Sequence, residues 1–237
     1  MGNQLLDVLS PANMASVMSV GRRVRLSAHA VLFEQARKVE AVHFPISAVL
    51  SLTTLLRDGT TVGMAVIGSE GTSGFPLLLE TEIMANVACI CEVAGDAISL
   101  PADCFKDELR RNGELRVVGL RYVSLLVAQL GQGVACSRLH YTVNRCASWL
   151  LIMQDRVAGD RFRLTHGLLA QMLGTRRASV TEALGVLTRA DAISTHYGTI
   201  EIFNRSILES VACECYEVIR GLTDRTLRSL PSALAAI

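Results

Sequence analysis

The sequence predicts an α+β protein: an N-terminal antiparallel β-barrel or jelly roll, a long helix, and a C-terminal region of short helices with a β-hairpin. Three observations carry this prediction. Apolar residues alternate with period two, between Gly-rich turns, over much of residues 24–100. A helical pattern covers residues 114–138, and two short helical stripes meet at a glycine within 164–189. We therefore expect three regions, residues 1–113, 114–138 and 139–237.

Composition excludes several protein classes. Half of the 237 residues are hydrophobic and 19% are charged, which favours a packed core over disorder. The longest stretches without Asp, Glu, Lys or Arg, Ala41–Leu56 and Tyr122–Ser137, have 16 residues each. Both fall short of the roughly 20 apolar residues that span a bilayer. Because the N-terminus has no leader pattern, we expect a soluble cytoplasmic protein without a membrane partner, in which the seven cysteines are reduced.

The first region is predicted to begin with a helical lead-in over residues 1–20 and to continue as short strands. The alternating apolar positions are Val42, Phe44, Ile46, Leu50, Leu52, Leu56, Val62, Met64 and Val66. Arg57-Asp58-Gly59 interrupts them as a hairpin turn, because glycine adopts a positive φ without a steric cost. Strands are expected again at Val87–Val93 and Ala97–Leu100.

Helices are predicted at Asp103–Arg111, at Glu114–Arg138 after a break at Asn112-Gly113, and at Tyr141–Val157. The long helix carries a stripe at four-three spacing: Val118, Tyr122, Leu125, Gln129, Gln132 and Cys136. Such a stripe is typical of a two-helix seam between subunits, although it would also suit packing on the protein's own barrel.

Residues 164–189 have the pattern of a helix-turn-helix. Thr165 is a good N-cap, and Gly174 suits the left-handed turn that ends a helix. A second helix is expected from about Thr175, and small Ala170 would let the two helices approach, with Val180 between them. The apolar positions are Leu168, Leu169, Met172, Leu173, Val180, Leu184 and Leu187.

Charge supports a nucleic-acid partner for this segment. Between Arg161 and Arg189 lie five arginines and one acid, Glu182, a local balance of +4. Arg176 and Arg177 fall at the start of the second helix, where the helix dipole disfavours cations unless a ligand phosphate is present. The alternative is that both are ordinary solvated arginines.

A hairpin resembling the wing of a winged helix is predicted next, and a helical tail near Ser206–Arg228 follows it. Ile193, Ile200 and Ile202 flank a Tyr-Gly turn. His196 at this turn would either contact a DNA phosphate or be an ordinary exposed residue.

Together these features resemble the Crp/Fnr family of bacterial transcription regulators over nearly the whole chain. The most specific parts are LTHGLLAQMLGTRRASVTEALGVL at residues 164–187 and GTIEIFNRSILE at residues 198–209. The resemblance implies a cyclic-nucleotide-binding-like domain, a dimerisation helix and a winged helix-turn-helix. It also implies a homodimer that binds near-palindromic double-stranded DNA, with RNA polymerase as a candidate further partner.

The resemblance places the DNA contacts at the two motif helices and the wing. The expected residues are Thr165, His166, Arg176, Arg177, Ser179, Thr181, Glu182 and His196. Arg177 occupies the position whose arginine commonly reads guanine through O6 and N7. Two departures, Ala178 where a Glu often follows and Glu182 at a usually basic position, imply a target site different from the family's best-known operator.

The predicted β-domain departs further from the cyclic-nucleotide-binding pattern. No Arg or Lys occurs between Asp58 and Pro101, and Glu70, Glu80 and Glu82 would lie near the phosphate. A buried phosphate without a cation is unfavourable, so cyclic AMP binding by the usual mode is not expected and the effector is unknown. Gly68, Gly71 and Gly74 are interpreted as turns, with a backbone phosphate cradle as the alternative.

Other site chemistries have little support in the sequence. The family's iron–sulfur members use an N-terminal cysteine cluster, and residues 1–88 contain no Cys. The five His are dispersed, and Cys136 and His140, four apart, are interpreted as packing, so no metal site or cofactor is expected. Two Cys-x-Cys pairs, at Cys89 and Cys213, leave a thiol-based redox or ligand-sensing module as the alternative function. No catalytic motif is present, so we expect no enzyme.

Overall fold

The computed structural model describes residues 2–81, 83, 86–157 and 159–235. The N-terminal part contains two helices and two packed antiparallel sheets, as expected for a jelly roll. Its elements are α1 (Pro11–Val20), β1 (Arg22–Leu26), β2 (Val31–Phe33), β3 (Ala41–Pro45), β4 (Val49–Leu55), β5 (Thr61–Ile67), α2 (Phe75–Leu78), β6 (Ala88–Val93) and β7 (Gly95–Pro101). One sheet has the order β1-β7-β3 and the other β2-β6-β4-β5.

The predicted hairpin joins β4 and β5. Gly59 has φ +86°, and the Asp58 carboxylate accepts a 2.9 Å hydrogen bond from the backbone N–H of Thr60. The register pairs Leu55 with Thr61 next to this turn. Alternating residues of β4 point into the core because successive side chains of a strand face opposite sides, which is the periodicity the sequence shows.

Two helices follow the sheets, α3 (Ala102–Arg111) and α4 (Gly113–Leu139). The two helices are separated at Asn112, which is the N-cap of α4. Its side chain accepts a 3.0 Å hydrogen bond from the Leu115 N–H. By length and hydropathy alone, α4 is apolar enough to cross a bilayer, but core helices of soluble proteins can have the same property. Of its most apolar 18-residue stretch, 39% is buried inside this protein.

The four-three stripe of α4 faces its own subunit. Val118, Tyr122 and Leu125 are at most 3% exposed and belong to the core of the β-domain. Gln129 donates to Thr223 Oγ1 at 3.3 Å on the C-terminal helix. The stripe therefore packs within the chain, the second of the two interpretations given above.

The opposite face of α4 is apolar and exposed. Leu120 is 41% exposed, Val127 62% and Val134 65%. These three residues recur every seven positions, and the smaller Ser124 and Gly131 lie between them at four-three spacing on the solvent side.

The C-terminal part is a winged helix-turn-helix with added helices. Its elements are α5 (Thr142–Gln154), β8 (Arg161–Arg163), α6 (His166–Leu173), α7 (Arg177–Arg189), β9 (Ile193–His196), β10 (Thr199–Ile202), α8 (Arg205–Val211) and α9 (Cys215–Leu234). The sheet order is β8-β10-β9. Its core contains Trp149, Val180 and Ile200, whereas Leu230 of α9 is buried in the N-terminal core. Helix α9 thus returns along α4 and ties the two parts of the chain together.

Candidate nucleic-acid interface

The turn between α6 and α7 has the geometry that the sequence predicts. The Thr165 hydroxyl caps α6 by accepting from the Leu168 N–H at 3.1 Å. Gly174 ends α6 in the left-handed region at φ +57°, a conformation that costs little only for glycine. Ala170 is 6% exposed, and Val180 is fully buried in the same core. The two helices are thus fixed against each other by backbone geometry and packing.

Helix α7 begins at Arg177, two residues later than the expected start. Arg176 has extended backbone angles and occupies the N-cap position without a capping side-chain bond. Leu184 and Leu187 are at most 1% exposed, which fixes the buried face of the helix. The side chains of Arg176 and Arg177 are exposed, and the first turn contains no acidic residue. The positive end of the helix and both guanidinium groups therefore face solvent together.

All five arginines between residues 161 and 189 are exposed: Arg161, Arg163, Arg176, Arg177 and Arg189. Within the described part of the chain, no carboxylate forms an ion pair with any of them. Arg156 and Arg205, by contrast, are held by acidic partners. Because these arginines have no acidic partner, their charge is available to an external anion.

Two predicted contact residues bond to each other. His166 Nδ1 lies 2.9 Å from Thr181 Oγ1, and that hydroxyl donates to the backbone carbonyl of Arg177 at 3.0 Å. Since the hydroxyl proton is used on the carbonyl, His166 Nδ1 donates to Thr181. This chain of bonds ties the start of α6 to the first turn of α7. Ser179, half-buried, and Glu182, exposed, lie on the same helix.

The wing lies beside the start of α6. Tyr197 and Gly198 connect β9 to β10 with φ values of +46° and +73°, as in a two-residue hairpin turn. The Gly198 carbonyl accepts a 2.8 Å hydrogen bond from the Leu164 N–H, one residue before the Thr165 cap. His196 stacks edge-on against Tyr197, with ring centroids 4.4 Å apart, and both are exposed. The wing tip and the α6 cap thus form one continuous surface.

The segment matching a phosphate cassette is filled by the protein's own side chains. A Cβ on Gly71 would lie 2.6 Å from the Tyr122 ring, and one on Gly68 would lie 2.7 Å from the Arg156 side chain. The Glu70 carboxylate is held by Arg156 at 2.7 Å, and each side chain is 8% exposed. Of the other two acids in this segment, Glu80 pairs with Arg116 at 3.2 Å, and Glu82 lies outside the described residues.

Arg156 is a residue that sequence reasoning missed. It follows α5 and is separated from Glu70 by 86 positions, so no local pattern links the two. A cavity of about 360 Å³ opens next to it, between β5 and helices α4, α5 and α6. Its lining is mostly apolar, and at one edge Gly63 packs directly on the backbone of Met172.

Five of the seven cysteines form two groups. Cys89 and Cys91 are fully buried in the sheet, and burial raises the pKa of both thiols, that of Cys91 to about 11, as expected for core residues. Cys136, Cys213 and Cys215, however, lie together with His140. The signals in the sequence are the four-residue spacing of Cys136 and His140, interpreted as packing, and the Cys-x-Cys pair at Cys213.

Comparisons with known proteins agree with this architecture. Residues 144–211 match the Crp-like helix-turn-helix domain family. A global nitrogen regulator from Nostoc sp. is 23% identical over 182 residues, which cover 72% of this chain and 80% of that protein.

Two solved structures share the fold. A protein of the Crp/Fnr family of transcriptional regulators from Eubacterium rectale has a TM-score of 0.69 at 15% identity, covering 87% of this chain and 96% of its own. A CRP-family transcriptional regulator from Thermus thermophilus has a TM-score of 0.66 at 18% identity, covering 80% and 96% respectively. The homologues are regulators and not enzymes, which confirms the expectation that this chain is not an enzyme. Residues 144–211 are therefore a Crp-like helix-turn-helix domain, and the chain shares the fold of Crp/Fnr regulators.

Proposed function

We propose that the protein binds a near-palindromic DNA site as a homodimer, with α7 of each subunit in the major groove. The observation that carries this proposal is the pair of exposed, unpaired arginines, Arg176 and Arg177, at the free N-terminus of α7. A helix that enters the groove by its N-terminus brings its first side chains to the base edges. In this arrangement residues 1–113 form the sensor-like domain, 114–138 the dimer helix and 139–237 the DNA-binding part.

The roles of the contact residues follow from their positions. Arg177, in the first turn, reads a guanine, and Arg176 contacts a phosphate beside it. Thr165 and the wing residue His196 contact the backbone of the neighbouring strand, since the wing and the α6 cap share one surface. His166 and Thr181, which bond to each other, position the first turn of α7. Ser179 and Glu182 face the bases at the side of Arg177, and the carboxylate of Glu182 favours a cytosine amino group over a phosphate.

The exposed face of α4 supplies the dimer contact. Leu120, Val127 and Val134 would form a two-helix seam with the same residues of a second copy. A Cβ on Gly131 meets no atom within 4 Å in the subunit, so the backbones of two such helices have room to approach there. This seam places the two copies of α7 on one side of the dimer only if the helices run parallel.

In-vitro selection of DNA sites by the purified protein tests the proposal. We expect an enriched sequence with two inverted half-sites about one helical turn apart. Binding should weaken steeply with salt, because each neutralised phosphate releases counterions. Selection of a single asymmetric half-site, or affinity that does not change between low and moderate salt, would contradict the proposal.

Sedimentation velocity tests the seam separately. The double variant V127D/V134D should be monomeric where the unmodified protein is dimeric, because charged side chains at a buried seam repel each other and lose hydration. Leu56, 48% exposed on the β4–β5 hairpin, provides the matched control L56D, which should stay dimeric. A dimeric V127D/V134D would remove the seam from this face of α4.

We also infer that cyclic AMP does not bind the β-domain in the usual mode. The observation in support is that Tyr122 and Arg156 already fill the space beside Gly71 and Gly68. Calorimetric titration with cyclic AMP should give no binding heat. A saturable binding signal from the unmodified protein would contradict the inference.

A further inference from the structure

Four side chains with metal-binding atoms meet where the chain passes between its two parts. Cys136 and His140 lie at the end of α4, one helical turn apart, and Cys213 and Cys215 lie where α8 gives way to α9. The chain crosses to the DNA-binding part after His140 and returns at Cys213. The four ligand atoms all lie within 4.8 Å of one another. A group this compact has room for one ion and not for an iron–sulfur cluster.

Two of the six separations among these atoms are close to the edges of a tetrahedral zinc site. Cys136 Sγ lies 3.6 Å from Cys213 Sγ, and Cys215 Sγ lies 3.6 Å from His140 Nδ1. Zinc bonds of about 2.3 Å to sulfur and about 2.0–2.1 Å to nitrogen at tetrahedral angles give edges of about 3.8 Å and about 3.5 Å. The two sulfur atoms are also far beyond the roughly 2.05 Å of a disulfide.

The surrounding residues hold the ligands as in known metal sites. His140 Nε2 lies 3.0 Å from the Glu214 carboxylate, and Nδ1 faces Cys215 Sγ. A histidine ligand usually has such a carboxylate on its other nitrogen, which fixes the ring and its tautomer. Gln132 Nε2 donates to Cys215 Sγ at 3.0 Å, and the Ser148 hydroxyl lies 3.1 Å from Cys213 Sγ.

Access also suits a cation. Cys136 and Cys215 line the cavity of about 360 Å³ described above. An ion can therefore reach the ligands from solvent without unfolding the site.

We propose that Cys136, His140, Cys213 and Cys215 bind one Zn²⁺ ion in a closed Cys₃His site. On binding to the reduced protein, each thiol becomes a thiolate and gives its proton to solvent, while His140 binds as the neutral imidazole. The ion links the segment by which the chain enters the DNA-binding part to the segment by which it leaves. It thereby fixes the orientation of that part relative to α4.

The test is a titration of the reduced, untagged full chain with Co²⁺, followed by displacement with Zn²⁺. We expect one equivalent of Co²⁺ to give the intense visible absorption of a tetrahedral cobalt–thiolate site, and one equivalent of Zn²⁺ to remove it. C213S should weaken Co²⁺ binding at least a hundredfold. E214Q, which leaves all four ligands in place, should weaken it about tenfold through the histidine.

C104S is the matched control, because Cys104 is part-exposed on α3 and outside the cluster. It should bind Co²⁺ as the unmodified protein does. Circular dichroism of each variant checks folding, and thermal melts give a second readout: Zn²⁺ should raise the melting temperature of the unmodified protein and C104S but not of C213S. Octahedral cobalt spectra, the same affinity in a folded C213S, or no cobalt binding by fully reduced protein would overturn the proposal. None of these readouts depends on DNA, so they stand apart from the DNA-binding proposal.

Discussion

The ion pair of Glu70 and Arg156 is expected to be a major contact between the β-domain and the DNA-binding part. Its atoms lie 2.7 Å apart, and each side chain is only 8% exposed, so water screens the attraction little. In R156M the Glu70 carboxylate keeps only its bond from the Gly68 N–H, at 3.1 Å. A buried charge left without its partner costs about 3–5 kcal/mol, and we expect R156M to lose stability by that amount.

Urea unfolding at neutral pH measures the effect. The double variant E70Q/R156M should be more stable than R156M alone, because it removes the unpaired charge. R116M is the matched control. Glu80, the partner of Arg116, is 78% exposed, so R116M should lose no more than about 1 kcal/mol of stability. If R156M unfolds within about 1 kcal/mol of the unmodified protein, the pair does not hold the two parts together.

Three further predictions concern stability. Burial lowers the pKa of His43 to about 4 from 6.5, so folding favours the neutral ring. The stability that His43 contributes to the fold is complete above pH 6.5 and is lost as the pH falls towards 4. Relative to H43Q, the unmodified protein should lose about 3 kcal/mol between pH 7 and pH 4 in urea titrations, and parallel curves would contradict this. N112A should cost about 1 kcal/mol in urea unfolding, because the Leu115 N–H loses its cap, while N112S should cost less. G63A would put a Cβ 2.7 Å from the Met172 backbone, so it should lower the melting temperature and speed proteolysis between the two parts. An unchanged melting temperature would contradict this prediction.

Local sequence patterns predicted the elements well. The strands β3 to β7 and the hairpin at Gly59 follow from period-two alternation and one turn residue, both readable within a few positions. The same holds for the cap at Thr165 and the left-handed Gly174. Helix α7 starts two residues later than expected because Arg176 takes the N-cap position, a boundary that periodicity does not determine.

Long-range contacts were beyond the reach of those patterns. The stripe through Tyr122 had two interpretations, and only the position of the β-domain and α9 shows that it is buried within the chain. Arg156 meets Glu70 across 86 positions, and Cys213 meets Cys136 across 77. Both pairings depend on how α5 and α9 are placed, so no spacing in the sequence encodes them.

The central claim is that the exposed N-terminus of α7 reads bases, and R177A tests it most directly. Fluorescence anisotropy on the selected site, and on sites changed at each base pair, compares R177A with R163A. We expect R177A to cost about 1–3 kcal/mol on the selected site and to lose discrimination at one base pair of each half-site. R163A should weaken binding to all sites alike. If R177A weakens every site equally and keeps its sequence preference, Arg177 binds phosphate and the account of base reading is contradicted.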